Sequence, residues 1–247
     1  MIRVLVSVLL LILPTLAAAD SADDTRAAAL AMIPAGSRVE MPVKFGKAVA
    51  ITVVTDKRLA RKPKLPPEEP TYQKAYDEAG VTMVYVTDVK LHPSDADYHV
   101  LRCDSGGSDD PQCVIATTQD PNGPGVAIPG RLFVIPGDGC IYSAGHTDNM
   151  FDTRAVHCLV GTDLKPVAQP FNYAGLKSKA LKTLTLYSDK TDAAAVATIE
   201  KGQFVEVVLQ DGDWFLLRNR FGLTGWAKLA TDTQQATEIE GFYYAGD

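Results

Sequence analysis

Several absences bound the reading before any motif is considered. Beyond the first apolar run, no stretch approaches 18 uninterrupted apolar residues, which leaves no second candidate for a membrane-spanning helix. None of the four cysteines lies in a Cys-x-x-Cys pair, which argues against a cysteine zinc site. There is no Gly-x-Ser-x-Gly elbow; Ser143-Ala144-Gly145 lacks the first glycine in frame. No glycine-rich phosphate cradle opens a helix. Positive charge is also short, with 24 Lys and Arg against 30 Asp and Glu and a net charge of −6. Binding through nucleic-acid phosphates needs clustered cations, so no nucleic-acid partner is expected. The one basic cluster, Lys57-Arg58, Arg61-Lys62 and Lys64, runs into Leu65-Pro66-Pro67-Glu68-Glu69-Pro70. Proline lacks the backbone donor a ladder requires, and the stretch reads as a solvated linker.

What is present begins with an export signal. Arg3 precedes an apolar run from Val4 to Leu16, and Ala17-Ala18-Ala19 offers a small-residue cleavage site. Cleavage after Ala19 would make residues 1–19 a signal peptide, remove one positive charge, and leave no membrane span. Retention of the run as an uncleaved anchor is the alternative. No cysteine follows the run for lipid attachment. A periplasmic or secreted protein is expected.

Four cysteines in an oxidising compartment favour two disulfides over a metal site. Cys103 and Cys113 flank the turn-rich Ser105–Pro111 loop symmetrically, and Cys140 and Cys158 flank a second loop centred near Asn149. Facing positions on antiparallel strands come close enough to bridge. The expected pairs are therefore Cys103–Cys113 and Cys140–Cys158.

The remaining pattern is mainly β. Asp23 to Met32 predicts a short helix or a disordered leader, stopped by Pro34 and Gly36. Val39 to Val54 predicts two strands around Gly46, and Tyr72 to Ala79 a helical turn or two. Strands are predicted over Val81–Leu91, Tyr98–Cys103, Val114–Thr118, Arg131–Ile135, Cys140–Ala144 and Ala155–Val160. Glycine, proline and aspartate turns separate them, which argues for an antiparallel sheet or sandwich. The expected organisation is a leader, strands and linker over 20–70, a disulfide-containing β-rich domain over 71–176, a small barrel over 177–230 and a tail over 231–247.

The barrel rests on three runs: Ile199 to Val208, Gly212-Asp213-Trp214 to Arg218, and Phe221 to Ala227 containing Gly225-Trp226. Leu184, Leu186 and Tyr187 would open it, Ala194–Ile199 would form its second strand, and Asp211-Gly212-Asp213 suits a hairpin turn. Trp214 after the Gly-Asp turn and the Gly225-Trp226 pair resemble the bacterial SH3 (SH3b) family. With Ile141–Arg154 and Gln169–Lys177 before it, the stretch from Arg131 to Leu229 is similar to a group of exported bacterial proteins. That resemblance implies an SH3-like β-barrel and, from the wider family, recognition of cell-wall components or peptides by a non-catalytic module. Trp214 and Trp226 are then either barrel core or, with Tyr187, a ligand-binding shelf rimmed by Asp211 and Asp213.

The richest polar constellation is His146, Asp148, Asp152, Arg154 and His157. His146, Asp148 and His157 offer imidazole and carboxylate donors of the kind zinc takes, which keeps a metal-dependent hydrolase as the alternative function. Their spacing matches no established zinc motif. No catalytic residue is assigned and no cofactor is expected; a cell-wall component or envelope protein is the expected partner. A third reading makes the barrel only a structural cap.

Overall fold

The computed structural model describes residues 21–45, 48–63, 72–73, 82–106, 110–145, 147–192, 194–244 and 246. Helix α1 (Ser21–Ala31) is followed by β1 (Arg38–Phe45) and β2 (Ala48–Asp56). Then come β3 (Ala60–Arg61), β4 (Tyr72–Gln73), β5 (Met83–Val89), β6 (His99–Asp104), β7 (Gln112–Thr117) and β8 (Val126–Pro129). The chain continues through β9 (Leu132–Ile135), β10 (Cys140–Gly145), β11 (Thr153–Val160) and β12 (Asp163–Pro166). It ends in β13 (Asn172–Lys179), β14 (Leu184–Tyr187), β15 (Ala195–Ile199), β16 (Phe204–Asp211), β17 (Trp214–Asn219) and β18 (Thr224–Lys228).

These strands form three sheets. The first runs β1-β2-β9-β10-β11-β12, the second β3-β5-β6-β7-β8 with β4 also on β5, and the third β13-β16-β17-β18-β14-β15. The protein is thus mainly β, as its sequence predicts. All described pairings are antiparallel except β2 with β9, where Val53 lies beside Phe133 and Val54 beside Val134. That parallel pair closes over the whole second sheet, a long-range contact that local alternation does not reveal.

The first two sheets pack face to face. Ile51, Val53, Phe133, Ile135 and Ile141 from one meet Val89, Leu91, Leu101, Ile115 and Ile128 from the other in one buried core. On the opposite face of the first sheet, Val54 and Val134 pack under Ala29 of α1 and Ile33 just beyond its end. Both faces of β2 and β9 are covered, which explains why Val53-Val54 and Phe133-Val134-Ile135 are continuous apolar runs. The Arg38 guanidinium donates to the Leu30 carbonyl at 2.7 Å, reinforcing the long bond that this helix-end group accepts from the Ile33 amide at 3.5 Å.

Both predicted disulfides are present. Cys103 and Cys113 are directly opposed on β6 and β7, with Cα atoms 3.9 Å apart, and Cys140 and Cys158 are opposed on β10 and β11 at 4.0 Å. The first is embedded in the sandwich core. Each closes its loop at a stabilisation of about 3 kcal/mol on the chain-entropy argument.

Three local expectations change. Tyr72–Gln73 is a strand paired with Val84 and Met83, not the start of a helical turn, and the rest of that predicted segment lies outside the described residues. Asn172–Lys179, for which the sequence predicts no strand, is β13, which pairs along β16. Its irregular register between Tyr173 and Leu176 hides its alternation. Gly175 makes that bulge possible: its φ is +64°, and a Cβ there would lie 2.6 Å from the Tyr173 ring. Finally, the third sheet is an open ladder ending on β13 and β15, rather than a closed ring. Beyond β13 the chain turns to the tail, since Ala180 bridges Ile239 and the Leu181 amide donates to the Glu238 carbonyl at 2.7 Å.

The core of the third sheet reaches outside residues 177–230. Leu184, Leu186, Val205, Val207, Phe215 and Leu217 are buried with Met150 and Phe151 from the β10–β11 loop and with Ile239 and Phe242 from the tail. Phe151 lies edge-on to Phe215 at 6.2 Å and alongside Phe242 at 6.4 Å.

Candidate binding face

Alternation along β17 and β18 decides where the tryptophans point. Phe215 pairs with Ala227 and Leu217 with Gly225, and Phe215, Leu217 and Ala227 belong to the core cluster. Trp214 and Trp226 occupy the intervening positions, opposite Lys228 and Leu216 respectively. Successive side chains of a strand alternate faces, so both indoles lie on the side away from that core. On β14, Leu184 and Leu186 enter the core while Tyr187 pairs with Trp226. Tyr187, Trp214 and Trp226 therefore share one face of the third sheet, and its core is built without them.

The three rings are graded in exposure. Trp214 is 9% exposed, with the Tyr187 ring edge-on at 6.5 Å and the Lys228 ammonium 4.9 Å from its centroid. Trp226 is half-buried, and the Lys190 ammonium lies 5.4 Å from its centroid. Cations favour the negative face of an indole, so both lysines are held where they also present charge to an approaching group. Lys190 is additionally ion-paired with Asp211.

Local sequence explains how Lys190 is delivered. Thr191 donates from its amide to the Asp189 carboxylate at 2.8 Å and from its hydroxyl at 2.5 Å, forming a tight turn after β14. Those bonds hold the Asp189 carboxyl below its usual pKa. Asp192 then takes φ +58°, which aspartate tolerates better than most residues. Asp211 sits opposite Trp214 at the end of β16, so it joins the face. Asp213 is exposed in the turn, after Gly212 at φ +61°.

Gly225, on the core side opposite Leu217, is what lets β14 and β18 approach closely. A Cβ there would meet the Leu186 Cβ at 2.7 Å, the Tyr187 carbonyl oxygen at 2.9 Å and the Val196 side chain at 3.0 Å. The Gly-Trp pair thus couples close approach of β14 and β18 to the placement of Trp226. Sequence reasoning missed Lys190, Lys228 and Leu216. The last two lie two residues from a tryptophan on the same strand and were available from period-two counting; nothing local marks Lys190.

The alternative constellation is not assembled. His146 lies outside the described residues. Asp148 is exposed at φ +40° in the β10–β11 loop, and its amide donates to Asp110 at 3.3 Å. His157 is on β11 opposite Ile141, four residues along the strand from the loop edge at Thr153. At a strand rise of about 3.3 Å per residue, that places His157 roughly 13 Å from the loop, beyond sharing one ion with Asp148. Its Nδ1 is buried without a partner, and burial holds the imidazole below its usual pKa. Among the described residues, no group of three or more His, Cys, Asp and Glu is placed to hold a metal. Arg154 donates to the Thr25 hydroxyl and lies over the Tyr173 ring at 4.7 Å. Asp110 is raised above its usual pKa, chiefly by burial and then by the Asp148 charge.

No family model, curated protein or solved structure matches this chain. Among the described residues, no helix is long and apolar enough to cross a membrane.

Proposed function

We propose that this is an exported, non-catalytic protein of the periplasm or exterior whose C-terminal sheet is an SH3b-like binding module acting in the cell envelope. Its ligand is a peptidoglycan fragment or an envelope protein. The observation that carries this reading is the common face of Tyr187, Trp214 and Trp226, set opposite a core completed by other residues. A half-buried indole with an ammonium beside it can stack on a sugar ring or a proline while the lysine meets an acidic group. Such a face serves recognition, and two disulfides suit a protein that works in an oxidising compartment.

Retention of the full chain on purified sacculi, and on immobilised envelope-protein extract, tests the reading against Trp226→Ala. The native chain should be held by one of the two matrices, with Trp226→Ala at least several-fold weaker. Equal retention of both proteins on both matrices would sink the proposal.

A further inference from the structure

Away from that face, α1 leaves a cleft against the outer side of the first sheet. It encloses about 310 Å³, and its walls are mostly apolar: Ala28, Met32, Leu132, Val134 and Tyr142. The cleft exists because the helix presents small side chains there; Ala29 and Ile33 pack down on Val54 and Val134, while Ala28 leaves space. Met32, 39% exposed, forms a lip that a thioether chain can adapt to an occupant.

Among the described residues, one charged side chain lines this cleft. Arg154, on β11, lines it beside Thr25 and Ser143. Its guanidinium donates to the Asp152 carbonyl at 3.1 Å and to the Thr25 hydroxyl, and it is held over the Tyr173 ring. It forms no ion pair with any described carboxylate. A guanidinium has five N–H donors in a fork that matches a carboxylate, and two of them are engaged here by neutral oxygens. In a chain of net charge −6, an immobilised cation at the mouth of an apolar cleft, with no ion-pair partner among the described residues, is a specific feature.

We infer that this cleft binds an aliphatic monocarboxylate, its chain between α1 and β9–β10 and its carboxylate on Arg154. The volume lies at the lower end of the range for small-ligand sites, which suits a medium-length chain. The inference is independent of the aromatic face on the third sheet.

Isothermal titration of the full chain with decanoate tests it, with decanol as the uncharged control. Saturable one-to-one binding of decanoate is expected, and decanol should bind more weakly. A hydrogen-bonded charge pair contributes about 1.5–3 kcal/mol, so Arg154→Gln should weaken decanoate roughly 10- to 100-fold and leave decanol unchanged. Ala28→Phe, which fills the cleft from the helix side, should weaken both ligands. Trp226→Ala should alter neither, which separates this site from the recognition face. No saturable binding to the native chain, or equal decanoate affinity in the native chain, Arg154→Gln and Ala28→Phe, would overturn the inference.

Discussion

Phe151 offers the sharpest test of how the third sheet is stabilised. It lies in the β10–β11 loop, outside the span whose sequence reads as the barrel, yet it is 5% exposed and wedged between Phe215 and Phe242. Truncation to alanine removes the ring and leaves a cavity among groups held by three separate parts of the chain. Buried Phe-to-Ala changes cost about 3–5 kcal/mol, and the two aromatic pairings lost here argue for the upper half of that range. Both tryptophans lie on the third sheet, at Trp214 and Trp226, so indole emission reports this unit alone. Far-UV circular dichroism reports all three sheets. With a urea dependence of about 2 kcal/mol per molar, Phe151→Ala should lower the fluorescence midpoint by roughly 2 M. Phe221→Ala provides the control, since Phe221 is 86% exposed and its truncation should change stability by less than about 0.5 kcal/mol. A fluorescence midpoint in Phe151→Ala within that control's range would refute the reasoning, because the sheet would then be stable without the loop.

Two further outcomes follow from single sites. Asp56 is held at a pKa of about 2, first by hydrogen bonds from Arg58 and against the opposing effect of burial. A depressed folded-state pKa contributes stability above the ordinary value of 3.8, and this is lost as pH falls towards about 2. Because the Arg58 side chain is 75% exposed and screened, Arg58→Ala should lower the urea midpoint slightly at pH 7 and still less near pH 2; urea titrations at both pH values would read the difference, and an equal loss at both would contradict it. Gly225→Val should separate β14 from β18, lowering the fluorescence midpoint and red-shifting Trp226 emission. An unchanged spectrum and midpoint would show that the close approach at Gly225 is dispensable.

The legibility of this chain followed the range of the interactions involved. Cys103 with Cys113 and Cys140 with Cys158 could be paired from loop symmetry because each bridge joins opposed residues of neighbouring antiparallel strands. Strands β16, β17 and β18 were readable because alternation and glycine turns are properties of consecutive residues. Strand β13 was not, since the bulge at Ala174-Gly175 breaks its period; β8 is only four residues long and ends in proline, and β12 is four residues with two charged side chains.

Local residue order determined the mainly β character, the disulfide partners and the presence of Tyr187, Trp214 and Trp226 in a glycine-punctuated stretch. Tertiary structure alone decided which way those rings face. Alternation assigns residues to two sides of a strand but does not say which side is covered, and that depended on Phe151, Ile239 and Phe242 arriving from distant segments to fill the Phe215 side. The same reason governs β2 beside β9 and the cleft at Arg154: each joins elements far apart in the chain, whose meeting is set by burial of whole faces rather than by any local pattern.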